Sequence, residues 1–265
     1  VYKRQDYMKK KYMFFDIDGT LTDNATKKIV PSAQKTLDRL QEAGHFVAIA
    51  TGRAHYKARG FMEASGLHNM VCCGGNGLVI NDELIMNTPL DRQKAIAVYK
   101  EARALGYGAL VMLDDSIDVY DVDDRFLRQC GERKEPTNYI FHADFDIDQV
   151  KNIYKLYISV PKEEEHRLTK KDTLGNLRFV ETYLMFQHDR KKEGILDMME
   201  RLGGPVEDVV VFGDDYNDLV MFDDAWFSIA MGNACDALKK KADYVTDRNV
   251  DDGIYKACLK FGWIS

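Results

Sequence analysis

The sequence has no apolar run approaching the roughly 20 residues a membrane-spanning helix needs. It has no basic excess either. Lys and Arg number 37 against 43 Asp and Glu, a formal net charge of −6, which argues against nucleic acid as the main partner. No Cys-x-x-Cys pair and no His-Glu-x-x-His spacing occurs, so neither zinc nor another histidine-held metal is indicated. The cysteines, Cys72, Cys73, Cys130, Cys235 and Cys258, are odd in number and fit thiols of a reducing cytosol better than disulfides. Phosphate loops of the Gly-x-Gly-x-x-Gly and Gly-x-x-x-x-Gly-Lys types are missing, as are internal repeats and low-complexity segments. Residues Val1 to Lys11 are polar and basic, without the apolar centre of a secretion signal. Met8, followed by three lysines, is the expected natural start, with Val1 to Tyr7 upstream of it. The expectation is a cytoplasmic protein with no membrane partner.

What is present is a 265-residue chain, 45% hydrophobic, enough for one large domain or two smaller ones. Its opening apolar run, Tyr12 to Phe15, has the pattern of a buried strand and stops at Asp16 and Asp18, then Gly19 and Thr20. A helix from Pro31 ends at Gly44, and a second apolar strand, His45 to Ala50, runs into Thr51-Gly52-Arg53. A helix from about Ala54 to Ser65 and a strand at Met70 to Cys73 follow. Strand, helix, strand, helix, strand is the order of a right-handed parallel α/β sheet.

The rhythm then changes. Gly77 to Met86 reads as a hairpin turning at Asn81-Asp82. From there to Gln187, helical patterns (93–105, 123–132, 163–171) alternate with short aromatic-rich strands (109–113, 155–160, 183–187). We read this as an inserted α+β module. The parallel pattern resumes with a helix at 191–202 and the strand Val209 to Phe212, which ends in Gly213-Asp214-Asp215-Tyr216-Asn217-Asp218. A helix to about Asp223, a strand at 227–231 and helices at 236–241 and 253–261 complete the pattern. The expected division is a core of residues 1–82 and 188–265 interrupted by a cap of residues 83–187.

Three strands of one sheet thus end in polar clusters: Asp16 with Asp18, Thr51 to Arg53, and Asp214 to Asp218. Ligands of open parallel sheets sit beyond the carboxyl ends of the strands. Two like unit charges about 4 Å apart repel by roughly 4 kcal/mol at an effective dielectric of 20, so clustered carboxylates need a counter-charge. All-oxygen ligands favour Mg²⁺ over zinc. The acidic run Asp114, Asp115, Asp118, Asp121, Asp123 and Asp124 lacks calcium-loop glycine spacing and reads as a solvated turn. The tyrosines of the module read as core.

These motifs, in this order, resemble the haloacid dehalogenase (HAD) superfamily, specifically its Cof-type phosphatases with a large α/β cap of the C2 (C2B) kind. Asp16 to Thr22 matches the first motif, Ala50 to Arg53 the second and Gly213 to Asp218 the fourth. Lys191 fits the third, a lone lysine, with Lys192 as the alternative. The resemblance covers the chain from Lys9 onward. It implies a Rossmann-like parallel-sheet core with an inserted α+β cap, and a Mg²⁺-dependent phosphatase acting through an aspartyl-phosphate.

Residue by residue, the resemblance implies that Asp16 is the nucleophile and Asp18 the general acid and base. Related P-type ATPases carry threonine at the second position and hold their phosphoenzyme longer. Lys191 would neutralise charge on Asp16 and the phosphoryl group, while Thr51, Gly52, Arg53 and Asn217 would contact the substrate. Mg²⁺ would be held by Asp16, the backbone carbonyl of Asp18, Asp214 and Asp218. The expected partner is a small phosphorylated molecule, with sugar phosphates the leading class, because a cap of this size leaves little room for phosphoprotein. Protein partners are not legible. A phosphomutase of the capped phosphomannomutase type and a non-catalytic phosphometabolite-binding regulator are the alternatives.

Overall fold

A computed structural model describes residues 9–265, so the expected start at Met8 lies outside the described residues. In chain order the first elements are β1 (Tyr12–Phe15), α1 (Pro31–Glu42), β2 (Phe46–Ala50), α2 (His55–Ala64), β3 (Met70–Cys72), β4 (Gly77–Ile80) and β5 (Glu83–Asn87). Next come α3 (Arg92–Ala104), β6 (Ala109–Met112), β7 (Asp118–Asp121), α4 (Arg125–Cys130), β8 (Asn138–Phe141), β9 (Lys155–Ile158), β10 (Asn176–Val180) and β11 (Tyr183–Phe186). The last are α5 (Lys191–Leu202), β12 (Val209–Gly213), β13 (Phe227–Ala230), α6 (Asp236–Lys241), β14 (Tyr244–Val245) and α7 (Gly253–Lys260). The chain divides into two units. One holds residues 9–53, Lys57–Met86 and Arg190–Ser265, the other Ala54–Tyr56 and Asn87–Asp189.

The first unit is built on an eight-stranded sheet in the order β14-β13-β12-β1-β2-β3-β4-β5. Neighbours from β14 to β3 are parallel, and β4 returns antiparallel on β3. The central strand β1 pairs Phe15 with Phe212 on one side and Ile49 on the other. Both faces of such a strand are covered, which is why Met13, Phe14 and Phe15 form an unbroken apolar run with no exposure. Phe15 and Ile49 pack under α1 and α7, whereas Phe14 and Val211 pack against α5. The register sets Asp16, Thr51 and Asp214, one residue beyond β1, β2 and β12, along one edge of the sheet.

His45 ties the start of this sheet to the chain's end. Its Nδ1 accepts from the Lys11 amide at 3.0 Å, and its Nε2 lies 3.0 Å from the Trp263 carbonyl. Only the neutral ring with hydrogen on Nε2 satisfies both. Burial, opposed by the Trp263 bond and helped by the Lys11 and Lys10 charges, lowers its pKa below the ordinary 6.5. The unfolded chain therefore takes up this proton first, so the contribution is complete above about pH 6.5 and is lost as pH falls below it. We expect thermal stability to drop below that pH by at most about 1.4 kcal/mol per unit from this group. His45→Gln, whose amide can bridge both partners, should flatten that portion of the Tm-against-pH curve.

The second unit carries a six-stranded sheet, β10-β11-β9-β6-β7-β8, antiparallel except for the parallel pair β7 and β8. Helix α3 covers one face through Ala95, Val98, Tyr99 and Ala102. The expected acidic turn is corrected here. Asp118–Asp121 is a strand, and Asp121 has no exposure. The Tyr99 hydroxyl donates to Asp121 at 2.6 Å, Arg103 at 3.1 Å and the Ala109 amide at 3.2 Å, so the buried carboxylate is paired. The expected helix at 163–171 is also absent. Two short 3₁₀ turns, Lys162–Arg167 and Lys171–Thr173, stand there, with no buried residue to give them an apolar stripe.

Candidate active site

Beyond β1 the backbone leaves the strand through Gly19, at φ +85°. A Cβ at Gly19 would overlap Asp214 Oδ2, so the missing side chain is what lets the two loops approach. Thr22 bonds back to Ile17 through both its amide and its hydroxyl, closing the loop. Asp16 is left buried, 4% exposed, at the strand's end. Beyond β12, a 3₁₀ helix (Tyr216–Met221) takes the place of the expected α-helix, capped at Asp215 with Asp218 answering from its third position. Asp218 accepts from the Asp214 amide at 2.9 Å and the Asp215 amide at 3.3 Å, so its carboxylate is turned inward. A Cβ on Gly213 would lie 2.6 Å from Asp218 Oδ2.

Lys191, the first residue of α5, is 1% exposed. Its Nζ donates to Asp16 at 2.8 Å and to Asp218 at 2.6 Å. Lys192 instead pairs with Asp223 at 2.6 Å and is partly exposed. That geometry separates the two candidates left open by the sequence. One oxygen from each of Asp16, Asp214 and Asp218 lies within 4.8 Å of the others, all three residues being buried.

Three buried carboxylates thus converge where one ammonium bonds two of them. Burial, then the charge of Asp218, raises the Asp16 pKa against the pull of Lys191. Burial, then Asp16 and Asp218, pushes Asp214 up to about 8, with the Thr20 hydroxyl opposing at 3.1 Å. The same carboxylates outweigh burial at Lys191 and hold it cationic. The cluster is short of positive charge. Its donors are all oxygens, close enough to share an ion, and that set fits a hard divalent cation such as Mg²⁺.

The remaining expected residues lie around this cluster with differing partners. Thr51 is 1% exposed, and its hydroxyl accepts from the Arg53 amide at 3.1 Å. The Asp18 carboxylate is not among the converging oxygens. Arg53 holds it in a two-point pair at 2.8 and 2.5 Å. Burial raises its pKa, but that pair and the charge of Arg53 outweigh burial and lower it. Gly52 follows Thr51 at the edge, and Asn217 is partly exposed in the first turn after Asp215.

Sequence reasoning assigned nothing to Thr20, Asn233 or Asn249. Asn233 donates to the Gly19 carbonyl at 2.9 Å, and Asn249 to the Thr22 carbonyl at 2.8 Å, while Asn233 accepts from the Asn249 amide at 3.0 Å. They brace the first loop from behind. Each asparagine follows a parallel strand, β13 or β14, so the common edge of the sheet was the available signal.

A model of the haloacid dehalogenase-like hydrolases matches residues 13–258. The chain belongs to this family. Within the HAD hydrolases it is of the Cof type, a phosphoric monoester hydrolase. YkrA of Bacillus subtilis (strain 168), a candidate phosphatase, is 32% identical over 96% of this chain and 99% of that protein. YcsE of the same organism, a 5-amino-6-(5-phospho-D-ribitylamino)uracil phosphatase, is 27% identical over 93% of this chain and 94% of its own. Among solved structures, a sugar phosphatase of HAD subclass IIB superposes with a TM-score of 0.78 at 24% identity, covering 96% of this chain and 100% of its own. At that identity the likeness establishes the fold. Among the described residues of this HAD hydrolase, no helix is long and apolar enough to cross a membrane.

Gly19→Ala tests how closely the first and fourth motifs must approach. The new Cβ would displace Asp214 and strain a left-handed backbone. We expect a loss of about 10–100-fold in activity, the range for a disturbed site shell, read from initial rates.

Proposed function

We propose that this HAD hydrolase is a cytoplasmic, Mg²⁺-dependent phosphatase of small phosphomonoesters, with sugar phosphates or related phosphometabolites as substrates. The observation that carries the reading is Lys191 Nζ bonded to Asp16 and Asp218, with Asp214 inside the same 4.8 Å cluster. YcsE is a 5-amino-6-(5-phospho-D-ribitylamino)uracil phosphatase, which supports the small-molecule class.

Asp16, Asp214, Asp218 and the backbone carbonyl of Asp18 would hold Mg²⁺. When bound, the ion supplies the positive charge that draws phosphate oxygens toward Asp16. The Asp16 carboxylate attacks phosphorus in line, forming an aspartyl-phosphate as the ester P–O bond breaks. Lys191 offsets the charge on Asp16 as the phosphate approaches. The Thr51 hydroxyl, the Gly52 segment and Asn217 position the phosphate oxygens. Asp18 gives its proton to the departing alkoxide, then takes one from the water that attacks phosphorus and frees Asp16. For the first task Asp18 must be protonated, and its pair with Arg53 opposes that. In this reading Arg53 moves from Asp18 to the substrate, and the Asp18 pKa rises as the cation leaves.

The test is a phosphate-release screen over sugar phosphates, nucleotides and cofactor phosphates, with Mg²⁺ present and then chelated. Release that stops on chelation and returns with Mg²⁺ is expected. Activity persisting in chelator contradicts the proposal, and a hexose phosphate isomerised without phosphate release favours the mutase.

A further inference from the structure

We infer that Cys72 and Cys73 form a redox modification site, closing reversibly to a disulfide between adjacent residues that shuts down the phosphatase site. The inference rests on the proposed function for its effect on activity, but not for the bond itself. The two sulfurs are 3.9 Å apart. Both lie over Gly77, where a Cβ would come 2.5 Å from Cys72 Sγ and 3.1 Å from Cys73 Sγ. A side chain at position 77 would drive the pair apart, and the glycine leaves the space in which they meet. Cys73 sits at φ +54°, in the left-handed region that non-glycine residues seldom adopt. Cys72 has no exposure, whereas Cys73 is partly exposed.

The step needs an oxidant of the peroxide class. The Cys73 thiolate attacks a peroxide oxygen, breaking the O–O bond to give Cys73 sulfenic acid and water or an alcohol. The Cys72 thiolate then attacks the Cys73 sulfur, forming the S–S bond and expelling hydroxide, which takes up the thiol proton as water. Two thiols and one peroxide thus become one disulfide, with two electrons passed to oxygen. Adjacent Cα atoms stand about 3.8 Å apart, below the roughly 4.4–6.8 Å of ordinary disulfides, so the bond is strained and easily reduced. Such a bond suits a switch rather than a staple.

Its placement gives it leverage. The Cys73 amide donates to the Arg53 carbonyl at 2.8 Å and the Gly74 amide to the Thr51 carbonyl at 3.3 Å. On its other side the same turn accepts from the Arg190 amide at Gly74, 2.7 Å away, and a Cβ at Gly75 would overlap the Arg190 carbonyl. The turn is therefore wedged between the Thr51–Arg53 loop and the residue that leads into Lys191. Drawing the sulfurs from 3.9 Å to a bond of about 2.05 Å must move that turn. A misplacement near 1 Å at reacting groups can cost about a hundredfold in rate.

The experiment treats the full chain with a small excess of hydrogen peroxide, then maps the cysteines by alkylation and mass spectrometry while assaying phosphate release. Expected is a peptide holding Cys72 and Cys73 that has lost two hydrogens, in a protein that stays the same size on a non-reducing gel. Dithiothreitol should restore both thiols and a rate that had fallen about tenfold or more. Cys73→Ser should keep its basal rate and resist peroxide. A wild-type map showing both thiols intact, sulfinic acid on Cys73, or a cross-link between chains overturns the inference. So does a mapped Cys72–Cys73 bond that leaves the rate unchanged. An absence of phosphatase activity before treatment counts against the proposed function and leaves the mass map to decide the bond.

Discussion

Asp16→Asn is expected to lower phosphate release by about 10⁴-fold or more, the scale on which removing a nucleophile acts. The side chain keeps its shape, so its buried place beyond β1 is retained while its nucleophilic charge is lost. The variant should fold, because the change also relieves repulsion from Asp214 and Asp218, each buried with it. Steady-state phosphate release, with circular dichroism as the folding control, checks both halves. A variant within tenfold of the parent would show that some other group attacks phosphorus.

Lys191→Met carries the second large effect, and it acts on stability and rate together. The methionine fills the volume but leaves Asp16 and Asp218 without their shared cation, now bonded at 2.8 and 2.6 Å. Removing one partner of a buried ion pair costs about 3–5 kcal/mol. The rate should fall by about 10²–10³-fold, as when one preorganised donor to a developing charge is deleted. Lys192→Met provides the contrast. Its solvent-screened pair with Asp223 contributes little, and neither stability nor rate should change much. Urea unfolding and initial rates on both variants measure the difference. Equal effects at the two positions would contradict the assignment.

Much of the site was legible because its physics is local. An apolar run that stops at carboxylates marks a strand end, and the parallel order puts such ends on one edge. Asp16, Thr51, Asp214 and Asp218 could be collected on those grounds alone. What stayed hidden depends on partners far away in sequence. Nothing near Asp18 or Arg53 announces their pairing, and the braces from Asn233 and Asn249 reach back more than 200 residues to the first loop. Lys191 and Lys192 are adjacent in sequence, and only the turn of α5 decides which one points inward.

In the second unit, short strands that carry polar or charged residues escaped notice. Asp118–Asp121 and Asn176–Val180 carry polar residues that strand propensity disfavours. Tertiary pairing overrides the preference, with Tyr99 and Arg103 making Asp121 affordable inside. The pattern at 163–171 misled in the opposite direction, since a run of glutamates favours helix locally but finds no apolar face to bury.

The central claim is that Asp16 itself carries the phosphoryl group. Rapid quench of the enzyme with radiolabelled substrate and Mg²⁺, followed by peptide mapping, addresses it directly. The account predicts acid-stable label on the peptide containing Asp16, and, with an aryl phosphate whose leaving group needs no proton, further accumulation in Asp18→Asn because that variant lacks the base for hydrolysis. Steady turnover with no label on the protein, in both the parent and Asp18→Asn, would contradict it.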